Sequence, residues 1–355
     1  MLKKINNYRR KFTKRLTQNI GHSNFEPNAE SFRRAEIKNI LICRPNGRLG
    51  NQLLISPLIQ EVTATFPGCK IDLFVKGGLS PFIYKNYENV NTIIQLPSKH
   101  FKHFGKYLSS WLSLKKKKYD LVINVEKNSS SGRLSTQHAT SKFKFIGDAT
   151  IGAKTSQMDY DHIAKYPIYN LRNYLTPLGI KNNEDPIPSL NLKLSSSEIE
   201  EGKQLLKKIT NNEKQTICIF TNATGVKCYS ETWWETFYER LKTAFPNYNI
   251  IEVLPAENIS RISFKAPTFY SNDIREIGSL IANTSLFIGA DSGIMHLASA
   301  SQTPTVGLFS GSNMSKYEPY NNNSIAIDTN NSNIDDWIST IKEILLKPKK
   351  VTPIQ

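Results

Sequence analysis

The stretch Leu286-Phe-Ile-Gly-Ala-Asp291-Ser-Gly-Ile-Met-His296-Leu-Ala-Ser-Ala300 leaves this chain few folds to choose from. A short apolar strand is predicted over residues 286–288, followed by a turn of small residues in which Asp291 and Ser292 are placed to cap a helix. That helix carries Ile294, Leu297 and Ala298 on one face, and after Gln302-Thr-Pro304 a second apolar strand is predicted over 305–309. The pattern is a β-turn-α-β unit with glycine at its helix N-terminus. In such a unit the free N–H groups of Ser292 and Gly293 point out of the carboxyl end of the strand, where α/β folds bind phosphates. The same residues would equally serve a plain helix cap with no ligand.

The rest of the chain repeats this grammar. Strands are predicted over residues 37–43, 70–75, 89–96 and 119–125, with a helical period over 52–66 that Pro67-Gly68 ends. The first strand is of the near-continuous apolar kind that parallel sheets bury. Residues 44–51 and 128–133 read as polar loops. Residues 179–197, rich in Asn, Pro and Ser, read as a linker. The alternation then restarts: a helix capped at Ser195-Ser-Ser-Glu198 and running to 209, a strand at 216–220, a loop at 221–227, a helix at 233–245 and a strand at 248–254. Helices are also predicted over 273–283 and 334–346. At 355 residues the chain is too long for one ordinary core and suits two domains of about 150 residues. The expected architecture is α/β with two Rossmann-like domains and a cleft between them. Its divisions are a basic arm (1–36), a first domain (37–180), a linker (181–197), a second domain (198–332) and a terminal helix and tail (333–355).

Charge separates the two halves. Residues 1–185 hold 30 Lys and Arg against 13 Asp and Glu, whereas residues 186–355 hold 16 against 17. The first half therefore carries the whole excess behind the net +16, and it should meet something anionic: nucleic acid, acidic lipid or a phosphorylated glycan. Residues 1–36 read as an arm that touches anionic surfaces. Residues 101–118 combine Phe101, Phe104, Tyr107, Leu108, Trp111, Leu112 and Leu114 with Lys102, Lys106 and Lys115 to Lys118. That composition suits a helix lying at a membrane surface, and also a domain-covering helix with a solvated basic end. No apolar run is long enough to span a bilayer, and the basic N-terminus lacks the apolar core of a signal peptide. Cys43, Cys69, Cys218 and Cys228 form no Cys-x-x-Cys pair and read as reduced thiols of a cytoplasmic protein. No Gly-x-Gly-x-x-Gly follows the first strand, which argues against a nicotinamide-dependent oxidoreductase.

Three separated segments resemble one family: Arg44 to Asn51, in which an arginine is followed by Leu49-Gly50-Asn51; Lys227 to Trp234, a Lys-x-x-x-Glu-x-x-Trp run; and Gly289 to Ala298. In order and spacing they look like glycosyltransferase family 9, the ADP-heptose:lipopolysaccharide heptosyltransferases and their relatives, over roughly residues 37–345. The resemblance implies a GT-B fold, with the acceptor bound mainly by the first domain and the nucleotide sugar mainly by the second. It also implies sugar transfer with inversion and without an essential metal. Carried onto matching positions, Ser292 and Gly293 hold the donor diphosphate, with Asp291 as cap or ribose contact and His296 one turn on. Lys227 meets phosphate and sugar oxygens. Asn222 and Thr224 lie on the same loop as Lys227, and Glu257 and Asn272 fall near the family's nucleoside pocket. Trp234 is expected in the core.

One position departs from the family. Heptosyltransferases carry an aspartate after that Leu-Gly, proposed to take the acceptor's proton, and here it is Asn51, whose amide is no base at neutral pH. Glu126 is the candidate replacement, with Asp148 and His138 more remote. Arg44, Arg48, Gly50 and Asn51 remain candidates for acceptor binding. Asp159-Tyr-Asp161 is a literal Asp-x-Asp, the metal signature of the other glycosyltransferase class, but it follows no evident strand and no metal is expected there. The reading is a glycosyltransferase at the cytoplasmic face of the membrane, moving a heptose or hexose-like unit from a nucleotide sugar, ADP-linked by resemblance, to an anionic cell-surface glycolipid. No cofactor and no nucleic acid are expected. The rival reading is a catalytically impaired nucleotide- or glycan-binding protein on the same scaffold.

Overall fold

The computed structural model describes residues 23, 37–98, 102–147, 157–180, 183–320 and 322–347. The expectations for the arm (1–36, of which only Ser23 is described), for Phe101, for Asp148 and for the tail beyond 347 lie outside the described residues. The described chain divides into two compact units, one of residues 37–47, 57–81 and 87–188, the other of 48–56, 82–86 and from 189 onward. Residues 48–56 and 82–86, which fall inside the first domain by sequence, thus go with the second unit.

The first unit is built on a five-stranded sheet in the order β3-β2-β1-β4-β5: β1 (Asn39–Arg44), β2 (Lys70–Lys76), β3 (Val90–Leu96), β4 (Lys118–Asn124) and β5 (Thr140–Phe145). Every pairing is parallel, and β1 sits at the centre with Ile40 to Cys43 fully buried, as its unbroken apolar run requires. The helical period predicted over 52–66 is in fact two helices, α1 (Leu49–Leu53) and α2 (Ser56–Thr65). The chain breaks at Leu54–Ile55 because Pro57 has no N–H to continue a helix, so it opens α2 instead. Helix α3 (Ser80–Ile83) and α4 (Phe104–Lys116) follow. The loop predicted at 128–133 is corrected: Ser130 to Arg133 form the first turn of α5 (Ser130–His138), whose cap Ser129 accepts from the Gly132 N–H. Helix α6 (Tyr166–Leu175) closes the unit.

The second unit carries a six-stranded parallel sheet in the order β11-β10-β9-β6-β7-β8, with β6 (Thr216–Phe220), β7 (Asn249–Val253), β8 (Thr268–Phe269), β9 (Leu286–Ala290), β10 (Thr305–Phe309) and β11 (Ile325–Asp328). All residues of β6, β9 and β10 are buried. The helices are α7 (Ser196–Thr210), α8 (Glu231–Ala244), α9 (Ile274–Ala282), α10 (Gly293–Ala300), α11 (Met314–Tyr317) and α12 (Ile334–Leu346). Helix α7 begins with the reciprocal capping box read from the sequence, Ser195 with Glu198. Trp234 is fully buried, packed with Phe237, Trp233 and Trp337 between α8 and α12.

Candidate active site

In each sheet the chain winds outward from a central pair of strands in both directions, and at such a switch point the loops leaving the carboxyl ends diverge and leave room for a ligand. In the second unit the pair is β6 and β9. The loop after β6 carries Lys227 on a single 3-10 turn (Gly225–Lys227), and β9 leads through Asp291 and Ser292 into α10. The two meet: the Lys227 ammonium donates to Asp291 Oδ2 at 2.6 Å. Asp291 is almost fully buried while a third of the Lys227 side chain stays open to solvent. Of the two residues placed to cap α10, Ser292 does so, its hydroxyl accepting from the Met295 N–H at 3.2 Å. Asp291 is the counter-ion of Lys227 instead.

His296 lies one turn along α10, buried, with Nε2 4.0 Å from Asp291 Oδ1. Burial drives its pKa down to about 4, against the pull of the Asp291 carboxylate and with the push of the Lys227 ammonium. The imidazole is therefore neutral at pH 7. Against it packs α1: a Cβ on Gly50 would stand 2.7 Å from His296 Cδ2, and one on Gly293 would stand 3.1 Å from Leu49 Cβ. Two glycines, one per helix, let the backbones approach this closely. Asn51 thus sits on a helix seated against the start of α10, with Arg48 exposed at the N-cap position of α1.

The Lys227 loop is fixed from beneath. Ser230 caps α8 by accepting from the Trp233 N–H, and the Tyr229 ring stacks on Trp233 at 4.1 Å. Asn222 accepts from the Cys228 thiol at 3.6 Å, while Thr224 is exposed. Two neighbours were not legible in the sequence. The Tyr317 ring lies 5.5 Å below the Lys227 ammonium, and a Cβ on Gly311 would stand 2.9 Å from the Val226 carbonyl oxygen. Both follow β10, more than eighty positions from the lysine, and neither sits in a motif. Glu257 and Asn272 are exposed on the loops after β7 and β8, where Asn272 accepts from the Tyr270 hydroxyl at 3.2 Å.

The first unit repeats the arrangement at its own switch point, between β1 and β4. Arg44 ends β1 and Glu126 follows β4, and the guanidinium donates to Glu126 Oε2 at 3.2 Å. Tyr166 stands beside the pair and donates to the Val125 carbonyl oxygen at 3.0 Å; burial first, then the Glu126 charge, pushes its phenol up. His138 is remote from this pair, its ring edge-on to Trp111 at 5.9 Å. Asp159 is committed to Lys165 at 2.7 Å and Tyr169 at 2.8 Å, which accounts for the Asp-x-Asp as local structure. Among the described residues no three His, Cys, Asp or Glu side chains gather as a metal site would need, and no helix is long and apolar enough to cross a membrane.

The profile of the family described as Glycosyltransferase family 9 (heptosyltransferase) matches residues 270–339, the segment from the end of β8 to α12. Lipopolysaccharide heptosyltransferase 3 of Escherichia coli is 24% identical over 293 residues, covering 78% of this chain and 85% of that protein. Two solved structures share the fold. The glycosyl transferase family 9 protein of Veillonella parvula DSM 2008 superposes with a TM-score of 0.69 at 16% identity, over 88% of this chain and 98% of its own. The E. coli heptosyltransferase WaaC with ADP superposes with a TM-score of 0.64 at 15% identity, over 86% and 99%. The parallel α/β units are thus those of a GT-B protein, and the chain is heptosyltransferase-like, similar to the glycosyltransferases of family 9.

Proposed function

We propose that this chain transfers a heptose or similar sugar from an ADP-linked donor to a lipopolysaccharide-type glycolipid, with inversion and without a metal. The observation that carries the proposal is the Lys227–Asp291 pair at the capped N-terminus of α10. The likeness to lipopolysaccharide heptosyltransferase 3, and to a fold solved with ADP, supports that choice of substrate class. In the reaction the acceptor hydroxyl oxygen bonds to the anomeric carbon, and the bond from that carbon to the diphosphate breaks with its electron pair leaving on the phosphate oxygen. That oxygen gains charge as the bond stretches. A fixed ammonium and the free N–H groups opening α10 stabilise it most where the charge is greatest, in the transition state. His296, neutral and buried, adds no charge that would compete with Lys227 for the phosphate. Ser292 and Gly293 hold the diphosphate, and Asn222, Thr224, Glu257 and Asn272 are the proposed outer donor contacts. On the acceptor side Arg44, Arg48, Gly50 and Asn51 are the proposed contacts, with Glu126 receiving the hydroxyl proton.

Asn51 gives a second reading its footing, a protein that binds donor without turning it over. Measuring nucleoside diphosphate released from ADP-heptose, with and without a lipopolysaccharide-core acceptor, separates the two. Acceptor-dependent release that Glu126→Gln removes is the expected result. Donor binding with no release selects the second reading.

A further inference from the structure

The helix α4 has two apolar faces, and the fold uses one. Tyr107, Trp111 and Leu114 pack against Leu41, Cys43, Phe74 and Val122 of the first sheet, and Ser110 donates to the Gln95 carbonyl oxygen at 3.1 Å. On the other side Phe104, Leu108 and Leu112, spaced by four, form a stripe along the helix that is 65, 48 and 50% exposed. Lys115 and Lys116 continue that side at the C-terminal end, both exposed, and Lys102 and Lys106 lie toward the other end. No Asp or Glu occurs between Glu88 and Asp120. The nearest acidic groups are already engaged: Asp72 holds Lys117 and Tyr119, and Asp120 accepts from the Lys38 and Asn39 N–H groups. Beside Lys115 an open depression runs toward Thr140, Ser141 and Lys144, whose ammonium donates to the Gln137 carbonyl oxygen at 2.8 Å.

We infer that this face of α4 docks on an anionic lipid bilayer. The apolar stripe enters the boundary between headgroups and acyl chains, and Lys102, Lys106, Lys115 and Lys116 meet lipid phosphates. An apolar stripe flanked by Lys102, Lys106, Lys115 and Lys116, on a segment without a carboxylate, matches an acidic interface by charge better than a neutral bilayer or another copy of this basic surface. It does not depend on the donor chemistry, because the residues concerned take no part in that site.

Sedimentation of the full chain with vesicles tests it, comparing phosphatidylcholine alone with phosphatidylcholine and phosphatidylglycerol at equal parts. Two variants are compared with the native chain: Phe104→Ser/Leu108→Ser/Leu112→Ser, and Lys115→Glu/Lys116→Glu. Melting temperatures near the native value show that both are folded. The native chain is expected to bind the acidic vesicles, and each variant to bind them about tenfold more weakly or less. Binding by both variants equal to native would overturn the inference and assign the contact elsewhere on the chain. So would equal binding to both vesicle types, or a stripe variant that changes the mass of the protein in solution instead of its vesicle binding.

Discussion

The ammonium of Lys227 and the carboxylate of Asp291 lie 2.6 Å apart although 64 positions separate them in the chain. They meet because β6 and β9 are neighbours at the point where the sheet reverses its winding. The start of α10 thus carries a cation already positioned and partly desolvated, as the proposed diphosphate site requires. Lys227→Met removes that charge. Turnover is expected to fall by about 100-fold or more, the scale of losing one electrostatic donor to a developing anion. The substitution also strands Asp291 in a buried position. A fall of about 1–2 kcal/mol in unfolding free energy is expected, smaller than for a fully buried pair because Lys227 is partly solvated. Steady-state kinetics and denaturant melts read the two effects separately.

Gly50 is the contact through which α1 reaches His296. Gly50→Ala places a methyl group 2.7 Å from His296 Cδ2 and forces either the ring or the helix to move. The cost is expected at about 1–3 kcal/mol, with donor affinity falling as the start of α10 shifts. His296→Ala makes room for that methyl group, so the double variant should be less destabilised than the sum of the singles. Strict additivity in a double-mutant cycle would contradict the contact.

The neutral state of His296 sets a pH dependence. Its folded pKa lies near 4, below the ordinary value of 6.5, so the unfolded chain binds the extra proton first as pH falls. Stability is then expected to drop between pH 6.5 and 4 by on the order of 3 kcal/mol from this group, and to level off in this term below 4. His296→Gln should flatten that limb. Melting temperatures across the range check it, and a native slope retained in full by the variant would contradict it.

Glu198 titrates with the opposite bookkeeping. Arg275 grips it with two bonds of 2.6 and 2.7 Å and also donates to the carbonyl oxygens of Phe82, Leu192 and Lys193. Those guanidinium bonds hold the Glu198 carboxyl far below the usual range, despite partial burial. The stabilisation is present above the ordinary carboxylate pKa and is lost as pH falls toward the depressed one. Arg275→Met removes the two guanidinium bonds to Glu198, whose remaining donors are the Ser195 N–H, Asn86 and Lys85, and should cost about 3 kcal/mol at neutral pH. The gap from native should narrow in acid.

Local chemistry made much of this legible in the sequence. Strands β6 and β10 and helix α12 have the bounds their apolar periods predict, because each is bracketed by a polar turn or a cap. The turn after β9 also announced itself, but Asp291 and Ser292 offered equal oxygens for one cap. Only the distant Lys227 decides between them. Helix α5 hid because Ser129, Ser130, Ser131 and Gly132 are turn formers, and the capping role of Ser129 shows only once the Gly132 N–H points at it. Strand β5 escaped because it lies at the sheet edge, where Lys142 and Lys144 can face solvent and break the apolar pattern. Tyr317 reaches Lys227, and Gly311 its neighbour Val226, through the fold alone.

The diphosphate of a nucleotide sugar is expected to bind at α10 with Lys227. Calorimetric or thermal-shift titration with ADP-, GDP-, UDP- and dTDP-sugars tests it most directly, run on the native chain and on Lys227→Ala. A stabilising shift with one nucleotide class, ADP, that Lys227→Ala loses is the expected result. No shift with any donor, or an equal shift in the variant, would contradict it.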